Sequence, residues 1–262
     1  MFINKNINFA VWKTVSKPKA NIIFNHGLGE SSQDYSDYLG SIFNSADYNI
    51  LLYDVRGHGK SIGNKGDISN FHVWIDDLKT IINFVRKKNN LKIFLIGHSM
   101  GGIIAQNYVV KYGDVDGVVI SSVPVFIPSH LNKYLKYPLY LFNFKKKKLN
   151  FNSSKIVNSF VRYPKNPYRL EYVTSRLLRN LLFLSLRYLQ QKLYLYKVPV
   201  LFLYGLEDQI VSYRNGVYLF NNVLSKDKKI KIYNKTYHNL FHDIESEKIL
   251  NNIIEWLDKR IS

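Results

Sequence analysis

The chain has 262 residues, 46% of them apolar and 21% charged, with 37 Lys and Arg against 19 Asp and Glu for a formal charge of +18. These proportions suit a globular protein with a sizeable core and exclude a disordered or collagen-like chain. No run approaches the ~18 apolar residues of a bilayer span. The absence of cysteine excludes disulfides, a thiolate nucleophile and cysteine-ligated metal.

In chain order, NINFAVWKTV (6–15) reads as an edge strand or hairpin arm, and ANIIFNHG (20–27) as a buried strand running into a glycine turn. The same strand pattern recurs in NILLYDVRGHG (49–59), KIFLIGHSMGG (92–102), GVVISS (117–122), PVLFLYG (199–205) and KIKIYN (229–234). Between the strands, residues 70–88 place Phe71, Trp74, Ile75, Leu78, Ile81, Ile82 and Val85 at helical spacing, and 101–111 continue directly from a strand. SEKILNNIIEWLDKR (246–260) predicts a closing helix with Ser246 as its N-cap. Strands alternating with helices, the strands nearly continuous in apolar residues, predict an α/β fold with a mostly parallel sheet covered on both faces.

The alternation stops between about Pro124 and Tyr196, a segment without strand-like runs. Residues 121–196 hold 14 Lys or Arg and one acid, Glu171, a net +13 that leaves only +5 for the rest of the chain. Codon bias does not concentrate charge in this way. The reading is a core of residues 1–122 and 197–262, with residues 123–196 an inserted basic, aromatic-rich helical lid. At 100° per residue, Leu177, Leu178, Leu181, Leu182, Leu184, Leu189 and Leu193 share one face of its last helix. That face reads as a cover over the site or as an interfacial element. YPLYLFNFKKKK (137–148) favours the interfacial element, with rings at headgroup level and lysines meeting anionic lipid.

Gly97-His98-Ser99-Met100-Gly101-Gly102 is G-x-S-x-G in the strand–turn–helix context that its mechanics require. Glycines two residues to either side allow the strained turn that lifts the Ser99 hydroxyl above the sheet, with the Met100 amide pointing into the same space. A serine needs a base, and the base needs an orienting acid. After PVLFLYG come Glu207 and Asp208, and after KIKIYN come His238 and, farther on, His242. Asp208 and His238 have the right types, the right order and strand-end positions. Glu207 is the rival acid. His242, with Asp243 beside it, reads as a surface histidine. The first glycine turn, His26-Gly27-Leu28-Gly29-Glu30, can aim the Leu28 amide at the oxyanion, with His26 a structural hydrogen-bonder.

Together these motifs resemble the monoacylglycerol lipase and lysophospholipase branch of the α/β-hydrolases, also described as serine aminopeptidase S33-like. The resemblance rests on residues 26–30, on Asp54-Val55-Arg56-Gly57-His58-Gly59-Lys60-Ser61, on the 97–102 turn, on Gly205-Leu206-Glu207-Asp208 and on Tyr237-His238. It implies the α/β-hydrolase fold, with Ser99 as nucleophile, Asp208 as acid, His238 as base and the Leu28 and Met100 amides as oxyanion hole. The 54–61 stretch then stabilises a loop, and the insertion is the variable lid. One local departure is Asn239, where relatives often carry an acid after the histidine.

The expected reaction is hydrolysis of lipid-like carboxylic esters, monoacylglycerol or lysophospholipid, through an acyl-enzyme, without metal or organic cofactor. An aminopeptidase on the same scaffold would need lid carboxylates for a free amino terminus, and the lid has a single acid. A dehalogenase would need a carboxylate in place of Ser99. A non-catalytic nucleic-acid- or ligand-binding module using the basic lid would leave the triad unexplained, and no helix-turn-helix, zinc-finger or RNP signature supports nucleic-acid binding. Residues 1–13 lack an apolar signal core, so the expected location is cytoplasmic, peripheral at anionic membrane if the lid is interfacial.

Overall fold

The computed structural model describes residues 2–3, 7–127, 145–150 and 165–261. Six parallel strands form the centre of the sheet: β3 (Ala20–Asn25), β4 (Tyr48–Tyr53), β5 (Ile93–His98), β6 (Gly117–Ser121), β9 (Val200–Gly205) and β10 (Lys228–Tyr233). They lie in the order β4-β3-β5-β6-β9-β10, and antiparallel β2 (Ile7–Lys13) and β1 (Phe2–Ile3) extend the β4 edge. The chain moves outward from β3 to β4, then returns to β5 on the other side of β3. That reversal opens a crevice at the carboxyl ends of β3 and β5, where α/β sheets place ligands.

Successive residues of a strand face opposite layers, and the apolar side chains divide accordingly. Ile23, Leu51, Leu95, Val118 and Phe202 pack under α2 (His72–Arg86) and α3 (Met100–Tyr112). Ile22, Phe24, Leu52, Phe94, Ile96 and Leu203 pack under α1 (Ser36–Ser45) and α7 (Ser246–Asp258). Burial of both strand faces explains the continuous apolar runs. The predicted strands, the helices over 70–88 and 101–111 and the closing helix are all present.

Three local expectations are corrected, and two helices are added. Ser246 is the first residue of α7, not its cap; Glu245 holds that position without a side-chain capping bond, and the Ser246 hydroxyl instead accepts from Tyr38. α1 and α6 (Arg214–Asn222) lie in stretches to which no element was assigned. Residues 123–196, expected to be helical, contain strands: β7 (Lys146–Lys148) pairs with β8 (Tyr172–Thr174) as an antiparallel ribbon. Its last helix is not uniform either. α4 (Ser175–Arg179) passes into a π turn over Asn180–Leu184 and then into α5 (Ser185–Gln191). A π turn advances the register, so Leu184 rotates to the outside while Leu186 joins Leu177, Leu181, Leu189 and Leu193 in the core.

Asn180 explains where the π turn forms. Its carboxamide accepts from Phe71 N–H and donates to the Ile68, Ser69 and Arg176 carbonyls, so helix and core share one side chain. Thr174 and Arg176 both bind the Asp67 carboxylate, and Leu170 N–H donates to Gly29 O at 2.8 Å. Residues 165–196 are thus fastened to the core along their length. The aromatic run 137–144 lies outside the described residues.

Candidate active site

The turn after β5 follows from its glycines. Ser99 has φ 49° and ψ −116°, strained for a residue with a side chain. A Cβ on Gly101 would lie 2.1 Å from the Asn25 carbonyl oxygen, and one on Gly97 would lie 2.6 Å from the Gly102 Cα. Only glycine at these positions lets α3 start so close to β3 and β5. Ser99 N–H donates to Ser121 O at 2.9 Å, which fixes the turn to β6, and the side chain remains half-buried.

Ser99 Oγ lies 3.0 Å from His238 Nε2, and His238 Nδ1 lies 2.8 Å from Asp208 Oδ2. A carboxylate only accepts, so Nδ1 carries the proton and Nε2 is left to receive the serine's. The other oxygen of Asp208 accepts from Ile210 N–H and Val211 N–H at 2.8 Å each, which sets the carboxylate's orientation. Asp208 and His238 are both buried. The parallel sheet accounts for this meeting of three distant residues, because β5, β9 and β10 all end on the same edge. Glu207, the rival acid, is exposed and lies outside the cluster.

His242 is not the surface residue expected from its place in the chain. It ends the 3-10 turn Leu240–His242, its Nε2 lies 2.9 Å from Asp34 O, and its ring packs 4.8 Å from that of Tyr35. The turn brings it back beneath the loop, and burial lowers its pKa. Asp243 accepts from Tyr237 N–H at 2.9 Å and so anchors the loop that carries His238.

Residues 27–30 form a turn closed by Glu30 N–H to Gly27 O at 3.3 Å, with Leu28 at its corner and Gly29 at φ 80°. Positive φ at the third position is why glycine is needed there. Leu28 is half-buried, and the turn lies against the serine loop, since a Cβ on Gly27 would meet His98 Cδ2 at 3.0 Å. Met100, the first residue of α3, has an amide without an intrahelical acceptor. His26 is fully buried; its Nε2 accepts from Val55 N–H at 3.0 Å, joining the ends of β3 and β4 as a structural bridge.

The 54–61 loop is a network of its own. Asp54 accepts from Ser32 N–H, Ser32 Oγ and Lys60 N–H at 2.6–2.8 Å. Burial opposes its ionisation, but His26 and these donors hold its carboxyl below the usual range. Arg56 grips Asp77 through two bonds of 2.7 Å. Burial drives the His58 imidazole down to about 3, so this ring stays neutral. His98, beside His238 at 5.1 Å between ring centres, is likewise lowered far, first by burial and then by the His238 and His242 rings.

Sequence reasoning missed the partners behind the site. Glu30, Tyr35 and Asn239 form one buried hydrogen-bonded group, and Arg169 from the insertion pairs with buried Asp34. Asn239 was visible as a departure from the resembling family, a signal that could have led to the group.

The chain was compared with known proteins. The family model described as Hydrolase_4, serine aminopeptidase S33, matches residues 16–245. Human monoglyceride lipase is 27% identical over 95% of this chain and 86% of its own. Phospholipase YtpA of Bacillus subtilis is 26% identical over 95% of this chain and 99% of its own. The crystal structure of Paleococcus ferrophilus monoacylglycerol lipase superposes with a TM-score of 0.79 at 26% identity, covering 97% of this chain and 99% of that one. With a model that spans nearly the whole sheet, and with a serine turn and strand-end loops of the expected build, the chain belongs to the serine aminopeptidase S33 family of α/β-hydrolases.

Proposed function

We propose that the protein hydrolyses carboxylic esters of lipid-like substrates, monoacylglycerol or lysophospholipid, with Ser99, His238 and Asp208 as its catalytic triad. The observation that carries this reading is the continuous chain of contacts, 3.0 Å from Ser99 Oγ to His238 Nε2 and 2.8 Å from His238 Nδ1 to Asp208. His238 takes the Ser99 proton as Oγ attacks the ester carbonyl, and delivers it to the departing alcohol oxygen. Water activated by the same ring then releases the acid from the acyl-enzyme. The oxyanion is held by the Leu28 and Met100 amides, an assignment supported by the seating of the 27–30 turn against His98 and by Met100's place at the start of α3. Two preorganised donors of this kind contribute heavily, since losing one commonly costs ~10²–10³ in kcat.

The relatives' names support ester substrates: two of the three similar proteins above are monoacylglycerol or monoglyceride lipases and one is a phospholipase. The family model's description favours a second reading, cleavage of an amino-terminal peptide bond. A free amino group needs a carboxylate to receive it. The one acid of residues 123–196, Glu171, is exposed and sits beside the cationic ribbon. A hydrolysis panel of monoacylglycerol, lysophospholipid, short p-nitrophenyl esters and aminoacyl amides decides between the two. Turnover of the esters is expected, and turnover confined to the amides would overturn the reading.

The insertion, taken as residues 123–196, acts as a lid that contacts anionic membrane. Lys146, Lys147 and Lys148 are exposed on β7, and Tyr172 is exposed on the paired β8. Each such cation near an anionic surface contributes ~1 kcal/mol, so the lysine group supports a measurable partition. Replacing Lys145–Lys148 with Gln should reduce flotation with anionic vesicles and leave hydrolysis of a soluble short ester unchanged. Equal recovery on anionic and neutral vesicles, insensitive to salt and to these changes, would reduce the lid to a substrate cover. Among the described residues no helix is long and apolar enough to cross a membrane.

A further inference from the structure

We infer that Asn239 and Glu30 form a positioning pair that fixes the loop carrying the Leu28 amide relative to the His238 imidazole. The inference rests on the catalytic reading above and names the device that holds its two halves in register. Glu30 Oε2 accepts from Gly27 N–H at 2.7 Å and from Tyr35 O–H at 2.6 Å, while Oε1 accepts from Asn239 Nδ2 at 3.0 Å. Asn239 Nδ2 also lies 2.9 Å from the Tyr35 oxygen, and its Oδ1 accepts from Phe241 N–H at 3.2 Å. All three side chains are at least 97% buried.

The connectivity gives the pair its role. Gly27 is the residue before Leu28, and Asn239 is the residue after His238. The bridge spans 209 positions of sequence and joins the amide that receives the oxyanion to the base that moves the proton. Other contacts lie to either side of it: Asp243 ties the His238 loop to its own Tyr237, His26 ties β3 to β4, and His242 Nε2 reaches Asp34 O at 2.9 Å, beyond Glu30. The carboxamide's orientation is dictated, since the carboxylate demands a donor and Phe241 N–H demands an acceptor.

Asparagine makes this contact without adding a second buried negative charge. An aspartate here would set two buried carboxylates about 3 Å apart, and they could stay together only by sharing a proton. Other charged or titratable groups face the pair from every side. Asp34, paired with Arg169, lies on the element after Glu30, with Tyr35 next to it and Asp54 bound to Ser32. His98 approaches from the serine loop, and His238 with Asp208, His242 and Asp243 from the base loop.

The test is kcat against pH on a soluble short ester for wild type, Asn239→Asp and the double variant Asn239→Asp, Glu30→Gln. In Asn239→Asp the shared proton restores a donor at low pH. The pair's upper ionisation is raised above the ordinary carboxylate range, so the competent form persists below it and is lost as pH rises through it. Expected is an alkaline fall in kcat of about 10- to 100-fold relative to wild type, in keeping with the cost of a ~1 Å misplacement, with KM little changed. The double variant exchanges donor and acceptor across the same contact and keeps one negative charge, so its profile should return to the wild-type shape.

Circular dichroism at each pH follows folding. If Asn239→Asp unfolds in the alkaline range, Asn239→Ala, which withdraws the donor without adding charge, must show the kcat loss at unchanged KM. A profile of Asn239→Asp parallel to wild type, a double variant no better than the single one, or wild-type kcat in Asn239→Ala would each overturn the pair. Every rate is scored as a ratio to wild type. Should wild type turn over no ester, that failure belongs to the proposed function, and the labelling rate of Ser99 by a fluorophosphonate then supplies the same ratios for the pair.

Discussion

Leu170 N–H donates to Gly29 O at 2.8 Å, so residues 165–196 are joined to the turn whose Leu28 amide is proposed for the oxyanion hole. The attachment continues in both directions from there. Asn166 donates to Ser31 Oγ, Arg169 pairs with Asp34, and Arg176 with Thr174 closes on Asp67. Residues 165–176 are thereby fastened to the frame of the proposed site.

Arg169→Gln should therefore destabilise the whole protein. Asp34 has a fully buried side chain that receives Arg169 at 2.6 Å, and the arginine is itself only 12% exposed. Removing one partner of such a pair leaves a buried charge uncompensated, at a cost of about 3 kcal/mol. Thermal unfolding should show a drop of roughly 6–12 °C, at ~2–4 °C per kcal/mol for a protein of this size. An unchanged Tm would mean that solvent already neutralises Asp34.

The two histidines of the base loop should separate in kinetics. His238→Ala removes the group 3.0 Å from Ser99 Oγ and should abolish ester turnover, by several orders of magnitude in kcat. His242→Ala removes a ring that supports Asp34 and Tyr35, so it should lower Tm and leave measurable turnover. Equal losses in kcat would undo the choice of base. Asp208→Asn should likewise cost far more kcat than Glu207→Gln, because only Asp208 touches the imidazole.

Acid should destabilise the fold before the carboxylates titrate. His58, at about 3, and His98, held well below its ordinary value, stay neutral in the folded state, while both protonate near 6.5 once unfolded. Below pH ~6.5 the unfolded chain binds more protons, so stability falls with falling pH, by up to ~1.4 kcal/mol per pH unit for each histidine. Tm measured from pH 7 to pH 5 should decline, and His58→Asn should flatten the slope. A flat wild-type profile over that window would show that these rings accept protons in the folded state.

How much was legible in the sequence depended on where the signal was local. The buried strands were readable because burial on both faces writes a continuous apolar run, and Ser99 because its turn tolerates only glycine at Gly97 and Gly101. Asp208 and His238 were picked out by residue type, chain order and strand-end position, with Glu207 and His242 left as rivals. α1 was hidden by its Ser, Gly and Asn residues, although Ser36, Leu39, Gly40 and Phe43 keep helical spacing. α6 buries only Gly216 and Leu219, too few to write a period, and Gly216 is required because a Cβ would meet the Tyr204 ring at 2.2 Å. The π turn at Asn180 shifted a leucine face that a regular 100° wheel had drawn wrongly. The Glu30–Asn239 bridge joins residues 209 positions apart, and no periodicity encodes such a contact.

Labelling with a fluorophosphonate, followed by peptide mapping, tests the central claim most directly. Phosphonylation needs a hydroxyl activated by its base and an oxyanion site, the same features assigned here to Ser99, His238 and the Leu28 and Met100 amides. The account predicts a single adduct on Ser99, absent from Ser99→Ala, strongly slowed in His238→Ala, and accompanied by loss of ester turnover. An adduct on another serine, or undiminished ester turnover by folded Ser99→Ala, would contradict it.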